Sequence, residues 1–217
     1  MIKCIDKAKF YDLAAVTPLV TWLGLGIVGS LAKTKQMLES REEVFVICSQ
    51  VATILFMSVV IVLLLIRRPP LRKAKGLLSR LAGIIGCLLP FFFLALPRAN
   101  PTHAITVFST AVVFFGTAAS ILSVCWLGRS FSILPQARRL VIAGPYRVIR
   151  HPLYFAELCV VFGRIWELEL PWPLIVMLTA IGVQVARMHF EEQVLLEAFP
   201  SYREYASRTA RLIPGVY

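Results

Sequence analysis

Two knots of polar residues interrupt an otherwise aliphatic chain, and both carry residue types suited to holding a ligand. The first is AGPYRVIRHPLYFAE, residues 143–157. Gly144-Pro145 reads as a turn, because Gly leaves the backbone free and Pro fixes the next dihedral. Arg147 and Arg150 bracket Val148 and Ile149, and His151-Pro152 breaks the chain again. Pro152 suits the first turn of a helix, whose free backbone N–H groups favour a negatively charged partner. Tyr146 closes the turn and Tyr154 falls within the helix start. The second knot is Gln184, Arg187, Glu191 and Glu192, with His189 among them. Gln184, Arg187 and Glu191 recur at i, i+3 and i+7 and share a helix face, with Glu192 beside it. Acids and an Arg at the end of an apolar helix are expensive unless they are paired or functional. A simple Arg187–Glu191 surface pair, worth a few tenths of a kcal/mol, would leave the second carboxylate for another partner.

The competing account of the first knot is an interfacial anchor, since Arg and Tyr often sit at headgroup level only to hold the chain there. Five turn, basic and aromatic features within a dozen residues weigh against it. No nucleophile triad is apparent, because Asp6 and Asp12 are the only aspartates and both lie near the start. Gly24-Leu25-Gly26-Ile27-Val28-Gly29 spells G-x-G-x-x-G, but it lies inside an apolar helix without the strand or the following acid of a dinucleotide site. Close helix packing through small residues is the better account. Cys4, Cys48, Cys87, Cys125 and Cys159 are odd in number and widely spaced, which indicates neither a disulfide framework nor a metal site.

These knots need elements to position them. Of 217 residues, 58% are hydrophobic and 16% charged, too little charge for the surface of a soluble domain of this size. Apolar runs of bilayer length, roughly 20 residues, recur. The expected fold class is all-α: a polytopic integral membrane protein with about six apolar helices, two of them a short C-terminal hairpin, and an amphipathic cytoplasmic C-terminal helix. The segments are 13–32, 44–66, 77–96 with a kink at Pro90, 104–127, the hairpin 153–166 and 172–188, and the amphipathic stretch 189–208. Sheet is unlikely on this reading, because a lipid-exposed backbone must satisfy its own hydrogen bonds. Ser30-Leu31-Ala32 is a passable signal cleavage site, but an anchored first helix fits the long apolar run better. Residues 1–100 are expected to form an N-terminal set of transmembrane helices and 101–217 a core with the cofactor pocket.

The net charge of +11 sits in short loops, the pattern of topology and anionic lipid contact rather than nucleic-acid binding. Arg67, Arg68, Arg72, Lys73, Lys75 and Arg80 follow the second segment, against Arg98 and a neutral His103 after the third. The positive-inside rule then places both termini and the polar knots on the cytoplasmic side. Trp166 and Trp172 flank the opposite turn. In the tail, Phe199, Tyr202 and Tyr205 share a face, and the tail reads as a membrane-surface helix or a lid.

Gly144-Pro145-Tyr146-Arg147, Arg150-His151-Pro152-x-Tyr154, then Arg187, Glu191-Glu192, Leu195, Phe199, Tyr202, Tyr205, Arg211 and Pro214 together resemble the isoprenylcysteine carboxyl methyltransferase family. The wider group includes phospholipid N-methyltransferases. The resemblance covers roughly residues 126–217. It implies an S-adenosylmethionine-dependent methyltransferase without a Rossmann domain, acting on a lipophilic acceptor such as a prenylcysteine carboxylate or another lipid. It implies that Tyr146, Arg150, His151, Pro152, Tyr154, Glu191 and Glu192 line the cofactor pocket. Arg187 and Glu191 would be the catalytic residues, with Arg187 orienting the substrate. Two positions depart from the family pattern, which often has Gly at both: Ala156, which would tighten the pocket, and Pro200, which would shift the tail helix. The acceptor, the choice of O-, N- or S-methylation, and the oligomeric state stay open. The alternatives are a sterol-reductase-like membrane oxidoreductase using NADPH, or a non-catalytic membrane scaffold.

Overall fold

The computed structural model describes residues 12–93 and 95–215. Among the described residues it has the α-helices α1 Thr17–Glu39, α2 Val44–Ile66, α3 Leu77–Phe92, α4 His103–Leu127, α5 Pro152–Ile165, α6 Trp172–Ala198 and α7 Tyr202–Arg208. Two two-residue strands, β1 Arg72–Lys73 and β2 Gln136–Ala137, pair antiparallel. The N-terminal lysines, Cys4, Asp6 and the last two residues lie outside the described residues.

Among the described residues, three helices are long and apolar enough to cross a membrane: Val44–Ile66, Trp172–Ala198, and α4 together with the turn that extends it to Ser130. At 1.5 Å per residue the 23 residues of α2 reach about 34 Å, more than the ~30 Å hydrocarbon core. The sequence leads one to expect about six apolar helices, the short C-terminal hairpin only partly inserted, and three of the described helices have the length and hydropathy of a span. Helix α3 has 16 residues and α5 has 14, so each is too short to cross alone. Helix α1 runs past residue 32 because Lys33, Lys35, Gln36, Met37, Leu38 and Glu39 are mostly good helix formers, and this moves charge into its C-terminal half.

The boundaries elsewhere have local causes. Helix α3 ends at Phe92 rather than at residue 96. The chain that follows is drawn out to pair with the hairpin turn: Ala99 N–H donates to Glu167 O at 3.0 Å and Glu169 N–H to Pro97 O at 3.2 Å. Thr102 caps α4 by accepting from Ile105 N–H. The expected break after residue 188 is absent. Met, Glu, Gln, Leu and Ala carry α6 on to Ala198, so both glutamates belong to the same helix as Arg187. The helix stops where Pro200 disfavours a helical Phe199, and a separate seven-residue α7 follows. The long amphipathic tail helix is thus corrected to a short one.

Helix α2 packs between α1 and α4, α4 against α5, and α6 against both α3 and α5. The α4–α5 approach rests on glycine. A Cβ on Gly116 would lie 2.9 Å from Val160 Cγ2, and one on Gly163 would lie 2.8 Å from Val113 Cγ2. Ala156 is buried in this seam, with its carbonyl 3.3 Å from the same Gly116 position, so it packs the helices and does not line the cleft described below. Of the G-x-G-x-x-G residues, Gly26 faces Met57 on α2, while Gly24 and Gly29 face open space.

The basic loop after α2 is more than a topology signal. Arg67 is buried, its Nε 2.8 Å from Asp12 Oδ2, and Arg138 Nη2 lies 3.2 Å from the same oxygen. Arg68 N–H donates to Arg129 O at 2.8 Å, and β1 pairs with β2 just beyond. The little sheet escapes the expectation against strands because it lies in the polar loops and not in lipid.

Candidate active site

Three basic groups converge on one carboxylate. Glu192 Oε1 accepts from Arg150 Nη1 at 2.8 Å and lies 3.0 Å from His151 Nε2, while Oε2 accepts from Arg211 Nη2 at 2.8 Å. The two sequence knots and the tail therefore meet at one point. The backbone supports the same junction. Arg150 N–H donates to Ala210 O at 2.8 Å and His151 N–H to Arg211 O at 3.1 Å. Charge-assisted bonds of this kind are about twice as strong as neutral ones.

Glu191 is placed differently. One of its oxygens accepts from Tyr154 OH at 2.5 Å, and among the described residues no basic side chain reaches ion-pair distance of it. Tyr154 is fixed from its sides. It stacks on His151 with ring centroids 5.3 Å apart and planes at 11°, and the Arg187 guanidinium lies 4.5 Å from its centroid. Arg187 Nη1 donates to Glu157 Oε2 at 2.9 Å and to Gln184 Oε1 at 3.0 Å, and Gln184 Nε2 donates to Glu157 Oε2 at 2.6 Å. Helix α3 comes close enough to hold Arg187 because residue 86 is Gly: a Cβ there would lie 2.8 Å from Arg187 Cδ.

Tyr146, His151, Tyr154, Glu191, Tyr202 and Tyr205 line a cleft together with Leu134, Gln136 and Arg138. The cleft is narrow, about 60 Å³. Leu134 and Gln136 also line a neighbouring cavity of about 600 Å³ between α1, α3 and the 133–136 segment, with Leu19, Trp22, Ile84 and Leu88 among its apolar walls. The tail covers the cleft: Tyr205 OH donates to Tyr146 O. Gly144, at φ +61°, makes this turn possible, since a Cβ there would lie 2.4 Å from the Trp126 ring. Burial pushes the Tyr146 phenol well above its ordinary range and that of Tyr205 up to about 12, so both stay protonated donors at neutral pH.

Not every expected site residue faces the cleft. Glu192 has both oxygens engaged, and Arg150, which does line the cleft, is held by it. Pro152 starts α5 and Arg187 sits behind Tyr154; neither lines the cleft. Arg187 pairs with Glu157 and Gln184 rather than with Glu191. Sequence reasoning gave no role to Glu157, Arg211 or Arg138. Glu157 had a readable signal, a lone acid in the apolar run that begins at Leu153. Arg138 had none beyond its basic pair with Arg139.

Residues 100–201 match the phospholipid methyltransferase family. That family includes the isoprenylcysteine carboxyl methyltransferases, in line with the resemblance carried by the Gly144–Tyr154 segment and the Glu191-Glu192 pair. With its apolar helices, the match makes this an integral membrane protein. The chain is also similar to the cobalt-zinc-cadmium resistance protein CzcN of Cupriavidus metallidurans, at 36% identity over 76 residues. That similarity covers 35% of this chain and 35% of CzcN's length. Both knots and the α4–α5 seam lie inside the phospholipid methyltransferase match, whereas α1, α2 and α3 precede it.

Proposed function

We propose that the protein transfers a methyl group from S-adenosylmethionine to a lipophilic acceptor within the membrane. The observation that carries this reading is Glu191, a carboxylate at the cleft with no basic partner, set against the Tyr154–His151 stack. That donor set fits a cationic ligand: the carboxylate takes an ammonium or ribose hydroxyls, and the aromatic faces sit well beside a sulfonium. Bound there, S-adenosylmethionine would supply an electrophilic methyl group for in-line transfer to a nucleophilic atom of the acceptor, with the thioether of S-adenosylhomocysteine as the leaving group, a reaction that needs alignment more than acid–base help.

The chain's own residues supply the alignment. Glu192 ties Arg150, His151 and Arg211 together and so fixes the cleft floor to the tail. Arg187, Gln184 and Glu157 set the position of Tyr154 from behind, which makes Arg187 a positioning residue. The neighbouring apolar cavity admits the acceptor's hydrocarbon portion and keeps water out. The narrow cleft opens by movement of the tail that covers it. In the cell the cleft faces the cytoplasm, on the positive-inside argument. The metal resistance in CzcN's name is not carried over, since among the described residues no three His, Cys, Asp or Glu side chains gather as a metal site. The phospholipid methyltransferase match does not favour the nicotinamide-dependent reductase reading.

The test is transfer of isotope-labelled methyl from S-adenosylmethionine into a total lipid extract, with mass spectrometry of the product. A labelled lipid formed by the wild type and not by Glu191→Gln is the expected result. No transfer, together with thermal stabilisation by NADPH and none by S-adenosylmethionine, would overturn it.

A further inference from the structure

A second charged group faces the cleft from outside the two sequence knots. Arg138 lines the same cleft as Glu191, and its side chain is fully buried. Its Nη2 alone carries its contacts, with both Asp12 oxygens at 3.2 Å and Gln136 Oε1 at 2.7 Å. Nε and Nη1 have no hydrogen-bond partner among the described residues. The same Asp12 also serves Arg67, whose Nη2 donates to the Asp12 carbonyl at 2.9 Å. Among the described residues, two buried guanidinium groups thus share one carboxylate, which leaves a positive surplus and two unused donors on a residue that lines the narrow cleft. A buried charge without full compensation is costly, and a bound anion would relieve it. A guanidinium edge with two free donors matches a carboxylate or phosphate.

We infer that Arg138, held in place by Asp12 and Gln136, is the anion-binding residue of the cleft and takes a carboxylate or phosphate of the bound ligand. Asp12 and Gln136 are positioning residues. With Glu191 in the same lining, the cleft then presents one acidic and one basic contact, the complement of a ligand carrying both charges. The anion has two sources: the amino-acid carboxylate of S-adenosylmethionine, or an acidic headgroup on the acceptor. The first source rests on the proposed methyl-donor reading; the second does not.

Calorimetry on the full-length protein in nanodiscs separates them. The probes are S-adenosylhomocysteine, its decarboxylated analogue, and dodecyl phosphate, each against wild type, Arg138→Lys and Arg138→Gln. If the cofactor supplies the anion, Arg138→Gln weakens S-adenosylhomocysteine by about tenfold to a hundredfold and leaves the decarboxylated analogue unchanged. If the acceptor supplies it, dodecyl phosphate is lost and both adenosyl compounds bind as before. Arg138→Lys keeps the charge, loses the paired donors, and falls between. It also carries the comparison if Arg138→Gln does not fold. Binding of dodecyl phosphate that depends on Arg138, with no adenosyl compound bound by the wild type, would sink the methyl-donor reading and leave the anion site standing. Equal affinities for all three probes in wild type and variants, or no binding of any probe by the wild type, would overturn the assignment of Arg138.

Discussion

Adjacent glutamates in one sequence do opposite work in this structure. Glu192 is held by Arg150, His151 and Arg211, whereas Glu191, among the described residues, accepts from the Tyr154 phenol and lines the cleft. The two neutralising substitutions should therefore part company. Glu192→Gln removes the charge that Arg150, His151 and Arg211 share in a largely buried place, a loss of about 3 kcal/mol of stability. Glu191→Gln removes no ion pair, so thermal stability should stay within about 0.5 kcal/mol of wild type. Its effect falls on the ligand, with S-adenosylhomocysteine binding weakened by about 1.5–3 kcal/mol if a charged hydrogen bond is lost. Thermal unfolding and calorimetry on both variants check the split; a destabilised Glu191→Gln with wild-type affinity would reverse the assignment. The sequence sets Glu191 on the Arg187 face and Glu192 beside it, since neighbours on a helix point about 100° apart, but only the packing of α5 and the tail says which one meets the bases.

The elements that carry the site were legible to unequal degrees. Helix α2 stands where its unbroken apolar run placed it, and α4 and α5 begin within a residue of expectation, because Thr102 and Pro152 are strong local start signals. The far end of α6 was not legible. A change from apolar to charged residues was read as a break, but charge alone does not end a helix whose residues are good formers; Pro200 does. The consequence is functional. Because α6 is continuous, Gln184, Arg187, Glu191 and Glu192 are carried by one rod, and α7 is left as a separate short cover. Its docking rests partly on Tyr205 OH donating to Tyr146 O. Removing that bond in Tyr205→Phe should cost about 1 kcal/mol and raise hydrogen exchange in residues 202–208 while leaving α6 protected. The pH sign follows from the phenol, whose value of about 12 in the folded state lies above its ordinary 10.0. The stabilisation is complete below pH 10 and is lost as pH rises from there towards 12, because the unfolded chain releases the proton first. Tyrosinate absorbance followed alongside tail exchange would show loosening in that window for wild type and a smaller change for Tyr205→Phe.

At the scale of the whole molecule, the structure joins segments that the sequence could order only by charge counting. β1, in the loop after α2, pairs with β2, in the stretch between α4 and α5, so those two loops lie on the same face of the helix bundle as the cleft. Arg98 and Glu167 pair at 3.1 Å, and Ser109 Oγ donates to Glu167 Oε1 at 2.9 Å, so the turn after α3 and the hairpin turn share the other face. These pairings constrain sidedness more tightly than the positive-inside rule, because they forbid the basic loop and the cleft from ending on opposite sides of the bilayer. The rule then only has to choose which face is cytoplasmic. Single cysteines at Arg72 and at Glu169, placed in a background with the five native cysteines replaced, provide the check, since both positions are exposed. In intact cells a membrane-impermeant maleimide should label Glu169→Cys and spare Arg72→Cys, and permeabilisation should expose the latter. The reverse pattern would keep the architecture and move the cleft to the outer face, away from the cytoplasmic pool of S-adenosylmethionine. Labelling of both positions in intact cells would contradict the pairing-based topology itself.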